Sequence, residues 1–386
     1  MQRLVYLDNA ATTPVRPEVR EAILPFLEDR GFGNPSSSHS LGRTARAAVE
    51  QSRHKVATAL GARPEQVVFT SGGTEADNLA VIGAAIAARS RGGPFRVAVC
   101  AIEHKAVLEA AEAVVALGGE SIVLPVDRAG CLDLAAAADA LERGIAVLSV
   151  MWVNNEVGVV QDVAHLAQLC HAAGTLFHTD AVQAIGKVPC SLARLPSTCV
   201  ALSGHKIGAL KGTGALLLPR PDVVAPLIHG GGQQRGIRPG TENVVGIVAL
   251  GTAVELAARE LQTTRQHVAR LRNELERRLI AVTPHAHVNG NAGKRAPHIS
   301  NMSFPGVDSG SLLMHLDLAG VCCSSGSACN TGAVASSHVL RAMHVPEALA
   351  SSAIRFSFSH CNEPEDVDHV VQIMPEIVGK LLNTTK

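Results

Sequence analysis

Ser203-Gly204-His205-Lys206 closes a short apolar run, Thr198-Cys199-Val200-Ala201-Leu202, and opens a turn, Lys206-Ile207-Gly208-Ala209-Leu210-Lys211-Gly212-Thr213-Gly214. The run suits a buried strand, and the turn holds too much glycine for a helix. A second apolar run, Ala215-Leu216-Leu217-Leu218, follows. Strand, polar tip, glycine turn and strand again fix Lys206 at a strand end, where it can face a bound phosphate. The other reading is a solvated loop lysine, the usual fate of this residue type. The rest of the chain bears on the choice.

Upstream, Gln66-Val67-Val68-Phe69-Thr70 reads as a strand that enters Ser71-Gly72-Gly73-Thr74 and then a helix over 75–88. A small-residue turn between strand and helix presents free backbone N–H groups at the positive end of the helix dipole, which suits a phosphate. It is neither GxxxxGK[ST] nor GxGxxG, so neither a P-loop nor a dinucleotide fingerprint is present. Further strands are expected over 96–100, 121–124, 146–150 and 175–179, with helices between them. Strands alternating with helices imply a parallel sheet. Loops at the carboxyl ends of such strands build the ligand site. Thr74, His104, Asn155, Asp180 and Lys206 all fall at such ends, which weighs more than any one of them.

The flanks are simpler. A strand near Leu4 to Leu7 leads into the turn Asp8-Asn9-Ala10-Ala11-Thr12-Thr13-Pro14, and helices are expected over 17–27 and 41–60. A polar loop, Gly230 to Thr241, precedes one long helical stretch over 243–280. The remainder carries strands near 300–304 and 354–358 and helices near 309–318, 334–343 and 364–382. The expected fold is α/β: a large domain with a mostly parallel, helix-flanked sheet, over 15–256. A smaller α+β domain takes 1–14 and 257–386.

Composition narrows the function classes. The 386 residues are 47% hydrophobic and 18% charged, with 34 basic and 34 acidic side chains. Zero formal net charge disfavours a nucleic-acid or anionic-membrane binder. Aromatics are 3%, too few for base-stacking platforms. The nine cysteines form no CxxC pair, which fits an intracellular protein with reduced thiols. A secretory signal and a bilayer-spanning apolar stretch are not expected.

A phosphate cradle, a lysine, an aspartate and a histidine converging on one pocket are the parts that pyridoxal phosphate needs. The chain resembles the cysteine desulfurases, pyridoxal-phosphate enzymes of the class-V aminotransferase family and of fold type I, the aspartate-aminotransferase fold. The matching stretches run in the family's order over nearly the whole chain. They are Tyr6-Leu7-Asp8-Asn9-Ala10-Ala11-Thr12-Thr13, Thr70-Ser71-Gly72-Gly73-Thr74-Glu75, Glu103-His104-Lys105, Val153-Asn154-Asn155-Glu156, His178-Thr179-Asp180-Ala181-Val182-Gln183, Ser203-Gly204-His205-Lys206, Arg238-Pro239-Gly240-Thr241-Glu242-Asn243 and Ser324-Ser325-Gly326-Ser327-Ala328-Cys329.

The resemblance implies a role for each match. Lys206 is the Schiff-base lysine and proton shuttle, and Asp180 pairs with the pyridine nitrogen. His104 stacks on the ring and handles protons as a third catalytic residue beside Lys206 and Cys329, and Gln183 bonds the ring oxygen. Gly73, Thr74, Ser203 and His205 hold the phosphate, and Thr241 reaches the phosphate of the other subunit of a homodimer. Asn155 and Arg355 grip the substrate carboxylate, for which bidentate arginine is the natural clamp. No metal is implied. From the residues alone, His104 and Asp180 also read as polar caps, and Arg355 as a structural ion-pair residue.

Cys329 is the sharpest signal. Most free cysteines are small buried hydrophobes, and Cys100, Cys131, Cys170, Cys190, Cys199, Cys322 and Cys323 suit that reading. Cys329 sits among serine and glycine, and a loop thiol suits a nucleophile that takes sulfur from L-cysteine and carries it away. The long Ser-Ser-Gly-Ser-Ala-Cys form resembles the branch serving iron–sulfur assembly and thiolation, so a sulfur-acceptor or iron–sulfur scaffold protein is an implied partner, in the cytoplasm. Phe358-Ser359-His360-Cys361 departs from the family's usual Leu-Gly-Arg run. Two other readings share the motifs: a selenocysteine lyase, and a non-catalytic sulfur-scaffold protein of the same fold.

Overall fold

The computed structural model describes residues 3–28, 31–283, 285–290, 293–325 and 337–384. Cys329 with the loop around it, and the start of the helix predicted over 334–343, lie outside these residues. In chain order the strands are β1 (Val5–Tyr6), β2 (Val67–Thr70), β3 (Arg96–Cys100), β4 (Glu120–Leu124), β5 (Val147–Ser149), β6 (Leu176–Asp180), β7 (Thr198–Ser203), β8 (Gly214–Leu217), β9 (His287–Asn289), β10 (Ile299–Ser303), β11 (Val321–Cys322) and β12 (Ala353–Ser357).

Among the described residues, seven strands form one sheet in the order β2-β8-β7-β6-β5-β3-β4. The pairings from β7 through β6, β5 and β3 to β4 are parallel, and β8 runs antiparallel to both neighbours. Alternate residues of one strand enter different cores, as the period of two requires. Val97, Val99, Cys199 and Ala201 pack with Ala76, Leu79, Val107 and Ala110 from the helices Gly73–Ser90 and Lys105–Ala116. Ala98, Cys100, Val200 and Leu202 pack with Val49, Val56, Leu166 and Leu250 from the helices Ser40–Leu60, Val163–Ala172 and Val244–Arg259. Burial on both faces is why these strands read as continuous apolar runs.

A three-stranded antiparallel sheet, β12-β10-β9, and the parallel pair β1-β11 complete the sheet structure among the described residues. Their core joins Val5 and Leu7 to Leu271, Leu275, Leu279, Phe304, Leu312, Phe356, Val370 and Met374. The first residues of the chain thus share a core with its last third.

Two helices differ from expectation. The stretch over 243–280 is two helices, Val244–Arg259 and Leu261–Val282, broken at Glu260. The first is buried in the core of the large sheet, the second lays Leu271, Leu275 and Leu279 on the smaller core, and the break lets the chain turn between them. The Glu260 carboxylate there takes an ion pair from Arg16 at 2.8 Å. The helix predicted over 17–27 stops at Ile23 and tightens into a 3-10 turn, Leu24–Phe26. Pro25 has no N–H to continue the α-helical ladder.

Candidate active site

Lys206 lies at the end of a single 3-10 turn, Gly204–Lys206, which follows β7 directly. Its Nζ donates to two backbone carbonyls, Ala10 at 2.8 Å and Ala11 at 2.6 Å. The turn after β1 is thus folded over the tip of β7, and Thr13 N donates to His205 O at 2.9 Å to hold it there. Gln183 Nε2 donates to the same Ala10 carbonyl at 2.8 Å. His205 Nδ1 lies 3.2 Å from Thr12 Oγ1.

Asp180 ends β6, beside β7, and accepts Val182 N at 2.8 Å. Burial, reinforced by Asp77, raises its carboxyl above the usual aspartate range. His104 caps the helix Lys105–Ala116, its Nδ1 accepting from Ala106 N at 3.1 Å. The cap fixes the tautomer with the proton on Nε2. Burial lowers its pKa, Asp180 opposes that and Lys206 adds to it, so the three groups act on one another. Burial and then Lys206 bring His205 down to about 4, which keeps that ring neutral.

The phosphate end is equally defined. Gly73 opens the helix Gly73–Ser90, with Thr74 next. A Cβ on Gly73 would lie 2.8 Å from Val182 Cγ2 and 3.6 Å from Ser203 Cβ. The helix start, the loop after β6 and the end of β7 therefore meet at Gly73, where a Cβ would have to displace the Val182 methyl. The first-turn N–H groups lack intrahelical acceptors. Arg238 Nε donates to Glu75 Oε1 at 2.8 Å, which ties the loop carrying the exposed Thr241 to this same helix turn.

These residues fit pyridoxal phosphate. A helix start with glycine at its first turn and Ser203 beside it suits the phosphate. A buried carboxyl whose pKa is raised suits a ring nitrogen that shares its proton, and Lys206, at the end of the neighbouring strand, supplies a primary amine. Lys105, the first residue of its helix, and Lys211 are both exposed.

The expected carboxylate grip is more crowded. Arg355, on β12, is 3% exposed. Its Nη2 donates to Asp8 Oδ1 at 2.7 Å, and its Nη1 to the backbone carbonyl of Asn155 at 2.9 Å. Asn155 is thus brought to Arg355, with its main chain as the contact. Asp8, read from the sequence only as a turn residue, occupies one side of the guanidinium, and an incoming carboxylate competes with it. No local signal marks that pairing, because the two residues stand at opposite ends of the chain.

Behind Asp180 lies a buried polar pair that the motifs do not assign. His178 Nδ1 is 2.8 Å from Ser149 Oγ, and its Nε2 is 3.5 Å from Asp77 Oδ1, without the alignment of a hydrogen bond. Burial pushes Asp77 up to about 8 and His178 down to about 4, so both are neutral at pH 7. The folded protein therefore keeps a proton on Asp77 that the unfolded chain releases near the ordinary aspartate pKa. That stabilisation is present at low pH and lost as pH rises toward 8. Asp77→Asn, which cannot ionise, should gain in urea midpoint relative to the parent as pH goes from 5 to 8. A difference that stays constant across that range would remove the proton from Asp77.

The aminotransferase class-V family description matches residues 5–370. This chain belongs to the aminotransferase class-V family. Among class-V relatives, a cysteine desulfurase IscS from Dictyoglomus turgidum is 41% identical over 385 residues, covering 99% of this chain and 96% of that protein. A cysteine desulfurase from Cereibacter sphaeroides is 45% identical over 379 residues, covering 98% and 96%. A solved NifS-like protein superimposes with a TM-score of 0.91 at 35% identity, covering 98% of this chain and all of that one. The cofactor of these class-V enzymes is pyridoxal phosphate.

Proposed function

We propose that this chain is a pyridoxal-phosphate-dependent cysteine desulfurase. It converts L-cysteine to L-alanine and holds the sulfur as a persulfide on Cys329. The observation that carries the reading is the Lys206 amine, gripped by the Ala10 and Ala11 carbonyls beside Gln183 and in electrostatic contact with His104. The names of the full-length relatives support the substrate.

Bound pyridoxal phosphate supplies an electron sink for the substrate α-carbon. Gly73, Thr74, Ser203 and His205 hold its phosphate, Asp180 its ring nitrogen, Gln183 its ring oxygen and His104 its face. Arg355 and Asn155 orient the substrate carboxylate. Lys206 moves the proton at the α-carbon. Cys329, as thiolate, attacks the substrate Sγ. The substrate C–S bond breaks, an S–S bond forms, and the carbon left behind takes up a proton. Cysteine and thiol become alanine and persulfide with no outside oxidant.

The sulfur then passes to an acceptor or iron–sulfur scaffold protein, for cluster assembly or thiolation. The working unit is a homodimer in which Thr241 serves the partner's phosphate site, and the exposed position of Thr241 supports this. The free thiols of the described cysteines support a reducing, cytoplasmic setting. Among the described residues, no helix is long and apolar enough to cross a membrane. The shared core of Val5 and Leu7 with residues beyond 267 supports a division into 15–256 and 1–14 with 257–386.

The test is alanine release from L-cysteine and from L-selenocysteine, with sulfide measured under reductant and the sedimentation of the active species recorded. Equimolar alanine and sulfide from a dimer is the expected result. Turnover of selenocysteine alone would make the chain a lyase for that substrate, and no turnover of either would leave a scaffold. An active monomer would remove Thr241 from the partner's site.

A further inference from the structure

Gln183 is held from two sides. Its Nε2 donates to the Ala10 carbonyl at 2.8 Å, the acceptor that Lys206 Nζ also uses. Its Oε1 lies 3.2 Å from Nε2 of His298. His298 comes from the other core, one residue ahead of β10, and is 1% exposed. Its carbonyl accepts Phe358 N at 2.8 Å, so the backbone that presents the ring is itself pinned.

A glutamine side chain can present either its oxygen or its amino group to a site. Here the Ala10 carbonyl, which can only accept, takes the amino group, and the oxygen left facing the imidazole requires N–H on Nε2. The Nδ1 atom then carries a lone pair, and it is buried without a hydrogen-bond partner. Burial and the charges of Lys187, Arg272 and Arg355 keep the ring neutral, as a single donor to Gln183 requires. A cavity of about 60 Å³ borders His298, Lys187, Phe358 and Thr264. Nδ1 itself is shut off from that space.

We propose that His298 is a positioning residue: its Nε2–H holds Gln183 Oε1, so that the Gln183 amino group stays turned toward the Ala10 carbonyl and the Lys206 amine. This rests on the function proposed above. Pyridoxal phosphate carries a ring oxygen next to the aldehyde that Lys206 engages, so the amino group held there donates to that oxygen. Donation makes the oxygen a poorer base and lets the proton it shares with the lysine nitrogen leave at lower pH. Without His298 only the Ala10 carbonyl restrains the amide, and its amino group is held less firmly toward the ring oxygen.

The loaded enzyme is titrated by its near-visible absorbance, in the parent, His298→Leu and His298→Gln. The leucine variant keeps bulk without a donor and should move the midpoint up by about one pH unit, the size of one ordinary hydrogen bond. It should also lower kcat about tenfold with KM for cysteine unchanged, since Arg355 and Asn155 are untouched. The glutamine variant restores a donor and should return the midpoint toward the parent's. A leucine variant with the parent midpoint overturns the proposal. So does equal loss in the leucine and glutamine variants, which marks a purely structural histidine. If the leucine variant does not fold, nitrogen-15 spectra of the parent decide, with His298→Gln assigning the signal: a proton on Nε2 supports the proposal and a proton on Nδ1 overturns it. A parent that takes up no cofactor, or does not act on cysteine, sinks the proposed function instead.

Discussion

Lys206→Ala should abolish desulfuration, a loss of about four orders of magnitude or more, and the cofactor should wash out on gel filtration. The size follows from two roles at one atom. A positioned acid–base group contributes about 10²- to 10⁴-fold, and the covalent hold on the cofactor is lost with the same amine. The fold should survive. Lys206 ends a half-buried turn, and the strand before it is carried by Val200 and Leu202 in one core and Ala201 in the other. Its Nζ bonds go to two carbonyls of one turn, which Thr13 and His205 also fasten. Near-visible absorbance of the bound cofactor is a readout independent of turnover. A variant that still releases alanine from cysteine would take Lys206 out of the chemistry.

Cys329→Ser should separate the two halves of the reaction. Cofactor uptake and its spectrum should stay as in the parent, because Lys206, Asp180, Gln183 and the Gly73 turn are unchanged. Sulfur transfer should fall by about three orders of magnitude or more, since a hydroxyl is a far weaker nucleophile than a thiolate. The direct check is mass spectrometry of the parent after brief exposure to L-cysteine without reductant, which should show one added sulfur on the peptide containing Cys329. The competing thiols differ in accessibility. Cys323 is pushed up first by burial and then by Asp8, which disfavours its thiolate. Cys361 is exposed, with its Sγ 3.3 Å from His360 Nε2, and is the stronger competitor. Sulfur found on Cys361, with activity retained in Cys329→Ser, would overturn the assignment.

Local chemistry made much of the large sheet legible. Apolar runs such as Thr198–Ser203 and Arg96–Cys100 are buried on both faces, so strand identity is written in every residue of the run. Glycine near the helix start at Gly73 marks a close approach of elements, and Gly208 and Gly212 after Lys206 take left-handed backbone that favours glycine. Strand ends then place Asp180 and Lys206 at one edge of a parallel sheet, because connections in such a sheet return every strand in the same direction. The smaller unit was legible in part: the strands expected near 300–304 and 354–358 each sit one residue earlier, while the short strands β9 and β11 and the helix Glu347–Ala350 carry no run long enough to read.

Side-chain pairing across the chain was not legible. Sequence alone determined the strand order's raw material, the strand-end lysine and aspartate, and the cysteine that stands outside any apolar pattern. Tertiary structure alone decided that Asp8 faces Arg355, that Arg16 holds Glu260 where one expected helix becomes two, and that His298 reaches Gln183. Periodicity and turn chemistry act within a few residues and leave a mark on composition. A hydrogen bond between distant residues leaves none, since either partner alone is compatible with many environments until packing brings the other within about 3 Å.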